Sequence, residues 1–401
     1  MVSMPLEGIR VLDWTVFQQG PTATALLADM GADVIKIEEP RGEPGRGLMR
    51  MYGEEMSRDI YFQNHNRGKR AIVLDVTKER GREVFCQLAA KSDVVVTSLR
   101  YRFVKKVKLD YESLSPLNPK LIYAVSCGYG LEGPDADLPS YDLAGQARGG
   151  LWSTSMSEDL KPVPIGGGFA DEVGGLMTAY GILLALLARE RTGVGQMVET
   201  SLLGSQIELG RLNLQYYFMT GHLGQYTSVL RQANSPLWNL YHCKDDKWIS
   251  LAMIQADRFW PKFCEILGLQ ELEKDPRFAN QEVRAQNIDE IMPRVREVFH
   301  TRTRDEWVQI FNQAELVASP VNNYADVAED PQVKANDYVV EINDPVWGKI
   351  RVPGIPVKLS KTPGKITRLA PELGQHTEEV LMEVLGYTWD DITELREEEV
   401  F

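Results

Sequence analysis

The first 130 residues switch repeatedly between two hydrophobic periods, and that switching restricts the folds open to the chain more than any other feature. Short apolar runs at 8–13, 32–38, 71–76, 93–97 and 121–126 read as buried strands. Helical stretches lie between them. One covers 22–30 and is opened by Pro21, where a missing N–H costs nothing; another covers 78–91. Strands separated by helices predict an α/β fold with a parallel, doubly wound sheet. Ligands of such sheets bind beyond the carboxyl ends of the strands. Those ends are 14–20, 38–41, 98–102 and 127–130.

Beyond them, three glycines at 166–168 precede a long apolar helix, about 172–191, that ends at Thr192-Gly193. A second helical run covers 200–220. From about 225 to 315 the character changes. Trp238-Asn239-Leu240-Tyr241 and Trp248-Ile249-Ser250-Leu251 predict a hairpin around Lys244-Asp245-Asp246-Lys247, followed by helices such as 258–267 and 304–314. The tail from 317 returns with short strands and a last helix, 376–385. A chain of 401 residues suits two domains. The expected division is 1–224 with 317–401, and 225–316.

Acids outnumber bases 57 to 44, for a net charge of −13. Such a chain is a poor partner for nucleic acid or an anionic membrane, so a phosphorylated ligand needs a local basic patch. The longest apolar run, 181–188, is shorter than the roughly 18 residues of a membrane span. The N-terminus lacks a secretory pattern. Cys86, Cys127, Cys243 and Cys264 show neither CxxC pairing nor metal spacing, and read as reduced thiols of a cytoplasmic protein. The five histidines are scattered, which disfavours zinc.

Several residues admit two readings. The first βα turn, 16–21, has one glycine where a dinucleotide fold carries GxGxxG, so a nicotinamide dehydrogenase is disfavoured. Glu38 is either a ribose-binding acid or a solvated strand-end charge. A basic cluster, Arg67, Lys69 and Arg70 with Arg100, Arg102, Lys105, Lys106 and Lys108, is either a solvated charged surface or a phosphate site. Asp171, just before the apolar helix, is a helix cap or a nucleophile, and an ionised carboxylate serves both roles. Tyr216, Tyr217, Phe218, Tyr226, Trp238 and Tyr241 line an acyl pocket or pack a core; His222 and His242 lie near them.

Taken in order, LADMGADVIKIEEP (27–40), NRGKRAIVLD (66–75), LDYESLSPLNPKLIYAVSCGYGLEGP (109–134), SYDLAGQARGG (140–150), FADEVGGLMTAYGILLALLARERTGVGQMVETSLL (169–203) and PELGQHTEEVLMEVLGY (371–387) span nearly the whole chain. This set resembles the class III CoA-transferases, which include formyl-CoA, carnitine and arylsuccinate CoA-transferases and, more distantly, α-methylacyl-CoA racemases. The resemblance implies a Rossmann-like large domain made from both chain ends, a smaller inserted α+β domain, and an interlocked dimer, either a homodimer or a heteromer with a related subunit. It implies that Asp171 is the catalytic aspartate, that Gln18 lies near the reacting carbonyl, and that Tyr141 and Asp142 are an active-site pair. It places Lys69, Arg70, Arg100 and Lys106 near CoA phosphates. No permanently bound cofactor is implied; acyl-CoA and a carboxylic acid are the substrates, with succinyl-CoA and a bulky or aromatic acid as candidates.

Two departures stand out. The stretch 231–236, Arg-Gln-Ala-Asn-Ser-Pro, has no glycine-rich flap, and Ser98-Leu99 replaces the family's Asn-Phe at the adenine or pantetheine contacts. The racemase branch carries a histidine where this chain has Tyr141, so an α-proton base is missing here. A non-catalytic subunit of a heteromeric transferase is the other alternative; Asp171 argues against it.

Overall fold

The computed structural model describes residues 4–52, 59–154, 161–223 and 235–401. The chain divides into two compact units, Met1–Leu151 with Ile165–Leu214 and Lys334–Phe401, and Trp152–Pro164 with Gln215–Val333.

The first unit is built on β1 (Arg10–Trp14), α1 (Gln19–Asp29), β2 (Asp33–Glu38), α2 (Ile60–His65), β3 (Arg70–Val73), α3 (Glu79–Ala90), β4 (Val94–Thr97), α4 (Tyr101–Lys106), α5 (Tyr111–Leu114), β5 (Ile122–Cys127), α6 (Asp142–Arg148), α7 (Phe169–Thr192) and β6 (Met197–Ser201). Its six-stranded sheet has the order β3-β2-β1-β4-β5-β6, and every pair is parallel. The strands are apolar on both faces because helices cover both. Successive residues point to opposite sides. Leu12, Ile35, Val95 and Tyr123 meet Val84, Phe85 and Leu88 of α3, whereas Val11, Val34, Val94 and Ile122 meet Leu27 of α1 and Ile182, Ala185 and Leu186 of α7. The chain reverses direction across the sheet between β1 and β4, the place where such sheets bind ligands.

Several expectations are corrected. A sixth strand, not expected from the sequence, runs into the segment read as helix. Thr200 and Ser201 end β6, and Ser201 then caps the next helix, α8 (Leu202–Leu209), its Oγ accepting the Gly204 N–H at 2.9 Å. The rest of that run, α9 (Arg211–Thr220), is separate. Helix α1 starts at Gln19, ahead of Pro21, which sits inside the first turn. Helix α7 is 24 residues long, and its length and composition match those of a membrane span, which the run 181–188 understated. One face of it packs against α1, β5 and β6, and about half of it is buried. Glycines make the α1–α7 approach close: a Cβ on Gly174 would stand 2.6 Å from the Gln19 side chain, and one on Gly175 2.7 Å from Thr22.

The C-terminal segment covers the β3 edge. His376 accepts the Ala71 N–H and donates its own N–H to the Ala71 carbonyl, and Thr377 Oγ1 accepts from Val73. Thr377–Leu385 is not the last helix, since Trp389–Glu397 follows.

The second unit contains the expected hairpin, Trp238–His242 with Trp248–Ala252, over a core that includes Trp260, Phe263, Phe299, Trp307 and Phe311. The strand Ala318–Pro320 pairs with Trp248–Ala252, which carries this unit past the boundary expected at 317 and up to Val333.

Candidate active site

A cleft opens at the carboxyl ends of β1, β4 and β5, lined by Phe17, Gln18, Ser98, Leu99, Arg100, Cys127, Tyr141 and Asp171, among others. Its floor begins with the turn after β1. Phe17 has φ +62°, a left-handed conformation that costs a residue with a side chain on the order of 1–3 kcal/mol unless its surroundings enforce it. Two bonds enforce it. Glu43 Oε2 accepts the Phe17 N–H at 2.7 Å, and Ser98 Oγ accepts the Val16 N–H at 2.9 Å.

Asp171 lies in the first turn of α7. It does not cap that helix. The preceding residue is Gly168, at φ +71°, and a Cβ there would collide with the Gln18 amide at 2.2 Å, so both conformation and space demand glycine. The cap comes from a different helix: Asp142 Oδ1 accepts the N–H groups of Ala170 at 2.6 Å and Asp171 at 3.3 Å. Two helix-start donors that would otherwise be free to stabilise an oxyanion are thereby occupied.

The helix terminus does not keep Asp171 acidic. Burial, then the like charges of Asp142 and Glu172, push its carboxyl up to about 7. Beside it, Glu172 Oε1 accepts from Gln18 Nε2 at 2.8 Å and lies 3.0 Å from His65 Nε2. Burial raises the Glu172 carboxyl, but the bonds from His65 and Gln18 outweigh it and hold the group below its usual range. Cys127, the one thiol of the cleft lining, is pushed up to about 11 by burial, which removes it as a thiolate nucleophile near neutral pH.

Gln18, Tyr141, Asp142 and Asp171 are thus brought together. Tyr141 is exposed, its ring edge-on to Phe17 at 5.7 Å. The basic cluster is split. Lys69 is fully buried, donating to Asp13 Oδ2 at 2.7 Å, Asn66 Oδ1 at 2.8 Å and the carbonyls of His65 and Pro21. Arg70 is held by Asp33, Glu379 and Glu383. These acceptors leave neither side chain open to a phosphate, which corrects the expectation for both. Arg100 is exposed on the cleft and Lys106 on the last turn of α4. Ser98 binds the backbone of Val16, and Leu99 lines the cleft. Glu38 fits neither earlier reading: it is buried and paired with Arg46 at 2.6 Å.

The aromatic stretch does not assemble as a pocket among the described residues. Tyr241 is core, stacked on Phe299 at 4.1 Å, while Tyr216, Tyr217, Phe218 and Trp238 are exposed. Tyr226 and residues 231–234 lie outside the described residues. His65, Glu172 and Glu43 were not singled out from the sequence. The adjacent acids at 171 and 172 were the only local signal for one of them.

Residues 6–377 match the family described as CoA-transferase family III. Formyl-CoA:oxalate CoA-transferases from Bradyrhizobium sp. (strain ORS 278) and Streptomyces coelicolor are each 33% identical, covering 98% and 96% of this chain and 96% of either relative. A solved CAIB/BAIF family protein from Brucella suis superposes with a TM-score of 0.85 at 31% identity, over 95% of this chain and all of that one. With a half-buried aspartate at the mouth of a doubly wound sheet and matches along almost its full length, the chain belongs to CoA-transferase family III.

Proposed function

We propose that the chain transfers coenzyme A between two carboxylic acids, with Asp171 as the covalent carrier. The observation that carries this reading is the placement of Asp171. It lines the cleft beyond β1, β4 and β5, and its carboxyl is pushed up to about 7. A basic carboxylate is a better nucleophile than an ordinary one, and near neutral pH about half of it is ionised.

Asp171 attacks the donor thioester carbonyl. The C–S bond breaks, giving an anhydride and CoA thiolate. The thiolate attacks the aspartyl carbonyl of the anhydride, releasing the donor acid and leaving an aspartyl-CoA thioester. The acceptor carboxylate attacks that thioester and displaces the thiolate. The thiolate then attacks the acceptor carbonyl of the new anhydride, forming the product thioester and restoring Asp171. Acyl-bond energy is conserved at each step. With the Ala170 and Asp171 N–H groups taken by Asp142, the Gln18 side chain is the donor assigned to the developing oxyanion. Arg100 and Lys106 contact the CoA phosphates, and Leu99 flanks the pantetheine arm; Arg100→Gln raises the KM for acyl-CoA while leaving kcat unchanged.

The names of the relatives make formyl-CoA and oxalate the first pair to test, with succinyl-CoA as a second donor. The dispersal of the described aromatics removes the support for a bulky acceptor. A racemase is not favoured, because Tyr141 supplies no base of the needed kind. The exposed apolar side chains of α7, Leu176, Tyr180, Leu183, Leu184 and Leu187, with α9, which buries none of its residues, form the dimer interface. Light scattering that returned a monomer mass would sink the dimer.

The deciding experiment mixes donor thioesters with acids and follows exchange by mass spectrometry, with hydroxylamine added to trap the aspartyl thioester. The native chain forms a hydroxamate at position 171, and Asp171→Ala neither exchanges nor traps. Full exchange by Asp171→Ala rejects the carrier.

A further inference from the structure

The reaction proposed above asks Gln18 to donate an N–H to an oxygen that becomes negative, and its amide has two such hydrogens. Every neighbour of Gln18 Nε2 is an acceptor: Glu172 Oε1 at 2.8 Å, the Gly167 carbonyl at 3.2 Å and the Gly168 carbonyl at 3.4 Å. The nitrogen, not the oxygen, must therefore face them. The bond to the carboxylate is short and charge-assisted; the contact with the glycine carbonyls is long and shared. An incoming oxyanion displaces the weaker one and leaves the stronger in place.

Glu172 is itself anchored. His65 Nε2 lies 3.0 Å from the oxygen that receives Gln18, and His65 Nδ1 lies 2.7 Å from the Tyr61 carbonyl. The ring thus bridges the Tyr61 carbonyl and the Glu172 carboxylate, with Asn64 Nδ2 3.5 Å from the same Nε2. The ring ends α2 and packs against Tyr61 at 4.6 Å. The chain of contacts runs from α2 through the first turn of α7 to the turn after β1, so the His65–Glu172 contact fixes the donor relative to Asp171.

We infer that His65 and Glu172 are positioning residues for Gln18: the pair holds one amide hydrogen so that the other is presented to the substrate carbonyl. This rests on Asp171 being the carrier. Loss of the pair leaves acyl-CoA binding intact and lowers the rate of the chemical step.

The test is a double-mutant cycle on the full chain, using whichever of formyl-CoA/oxalate or succinyl-CoA/formate the native protein exchanges faster. Second-sphere partners of reacting groups are commonly worth about 10- to 100-fold, so Glu172→Ala should lower kcat by about that factor, with KM for acyl-CoA changed less than about twofold. Gln18→Ala should give a similar loss, and the double variant should fall no further than Gln18→Ala alone. Glu172→Gln, which keeps an acceptor oxygen, should recover most of the rate. His65→Ala, which leaves both partners in place, supplies an independent arm of the cycle if Glu172→Ala does not fold. Losses that multiply, a change in KM alone, or a Glu172→Gln variant as slow as Glu172→Ala would each overturn the inference. An Asp171→Ala variant in the same series separates the two levels. If it exchanges CoA, or if the native chain exchanges neither pair, the carrier reading falls and takes this one with it. If only the cycle proves additive, the positioning role alone is rejected.

Discussion

Asp13, fully buried, and Asp171, half-buried at the cleft, are carboxylates of the same unit, and the fold treats them in opposite ways. Asp13, in β1, is met by Lys69 at 2.7 Å, by Thr24 Oγ1 at 2.7 Å and by the Thr15 N–H at 3.1 Å. Burial alone would raise its carboxyl, yet Lys69 and Lys36 outweigh burial and hold it well below the ordinary range. Asp171 is acted on by two more acids and is pushed the other way. A buried charge that the fold neutralises becomes part of the framework, whereas one left beside like charges keeps a free energy that chemistry can release. The difference also explains the split of the basic cluster. Lys69 cannot serve both Asp13 and a phosphate.

The largest effect expected from this contrast is on the Asp13 side. Lys69→Met removes the contacting cation and leaves a buried carboxylate with only the more distant Lys36, so it should destabilise the protein by about 3–5 kcal/mol in urea unfolding. Whatever remains folded should keep its KM for acyl-CoA. A variant of native stability whose KM rises instead would return Lys69 to the phosphate role that the family resemblance implied.

Legibility in the sequence follows the same divide between local and distant causes. Strands β1 to β5 were readable because their residues are mostly apolar and almost all buried. β6 was not, because Met197-Val198-Glu199-Thr200-Ser201 is only partly buried and its last residue also caps a helix. Gln18, Tyr141, Asp142 and Asp171 could be named through the resemblance, but the way they work together could not. That Asp142 caps α7 is a contact across 28 residues, and that His65 meets Glu172 is a contact across 107. No periodicity reports such pairs. Lys69 and Arg100 look alike in a list of basic residues, and only tertiary burial tells them apart.

On the Asp171 side the contrast predicts a gain in stability from removing the charge. The carboxyl moves from 3.8 when exposed to about 7 in the fold, so between those values the native state holds a proton that the unfolded chain releases. Its contribution to stability therefore declines as pH rises through that window, and above about 7 the full penalty is present. The shift sets an upper limit of about 4 kcal/mol, and partial exposure reduces the expected gain for Asp171→Asn to about 1–3 kcal/mol at pH 8. At pH 4 the gain should vanish. Thermal melts of both proteins at the two pH values measure it. Equal stability at pH 8 would mean that Asp171 is neutralised in solution like Asp13, and the comparison would collapse.

The smallest effect tests what keeps the two carboxylates apart. Only the ionised form of Asp171 attacks a thioester, so kcat/KM for the donor should rise about tenfold per pH unit on the acid side and level off near pH 7. Asp142 contributes a like charge to that value, second to burial. Asp142→Asn removes the charge but retains an oxygen to accept the N–H groups of Ala170 and Asp171, at the cost of the bond from Gln146. The acid limb should then move down by about half a unit to one unit, and the plateau should change little. A shifted limb shows that Asp142 tunes the nucleophile as well as capping α7. An unmoved limb with a lower plateau assigns it the cap alone, and burial with the Glu172 charge then holds Asp171 up without it.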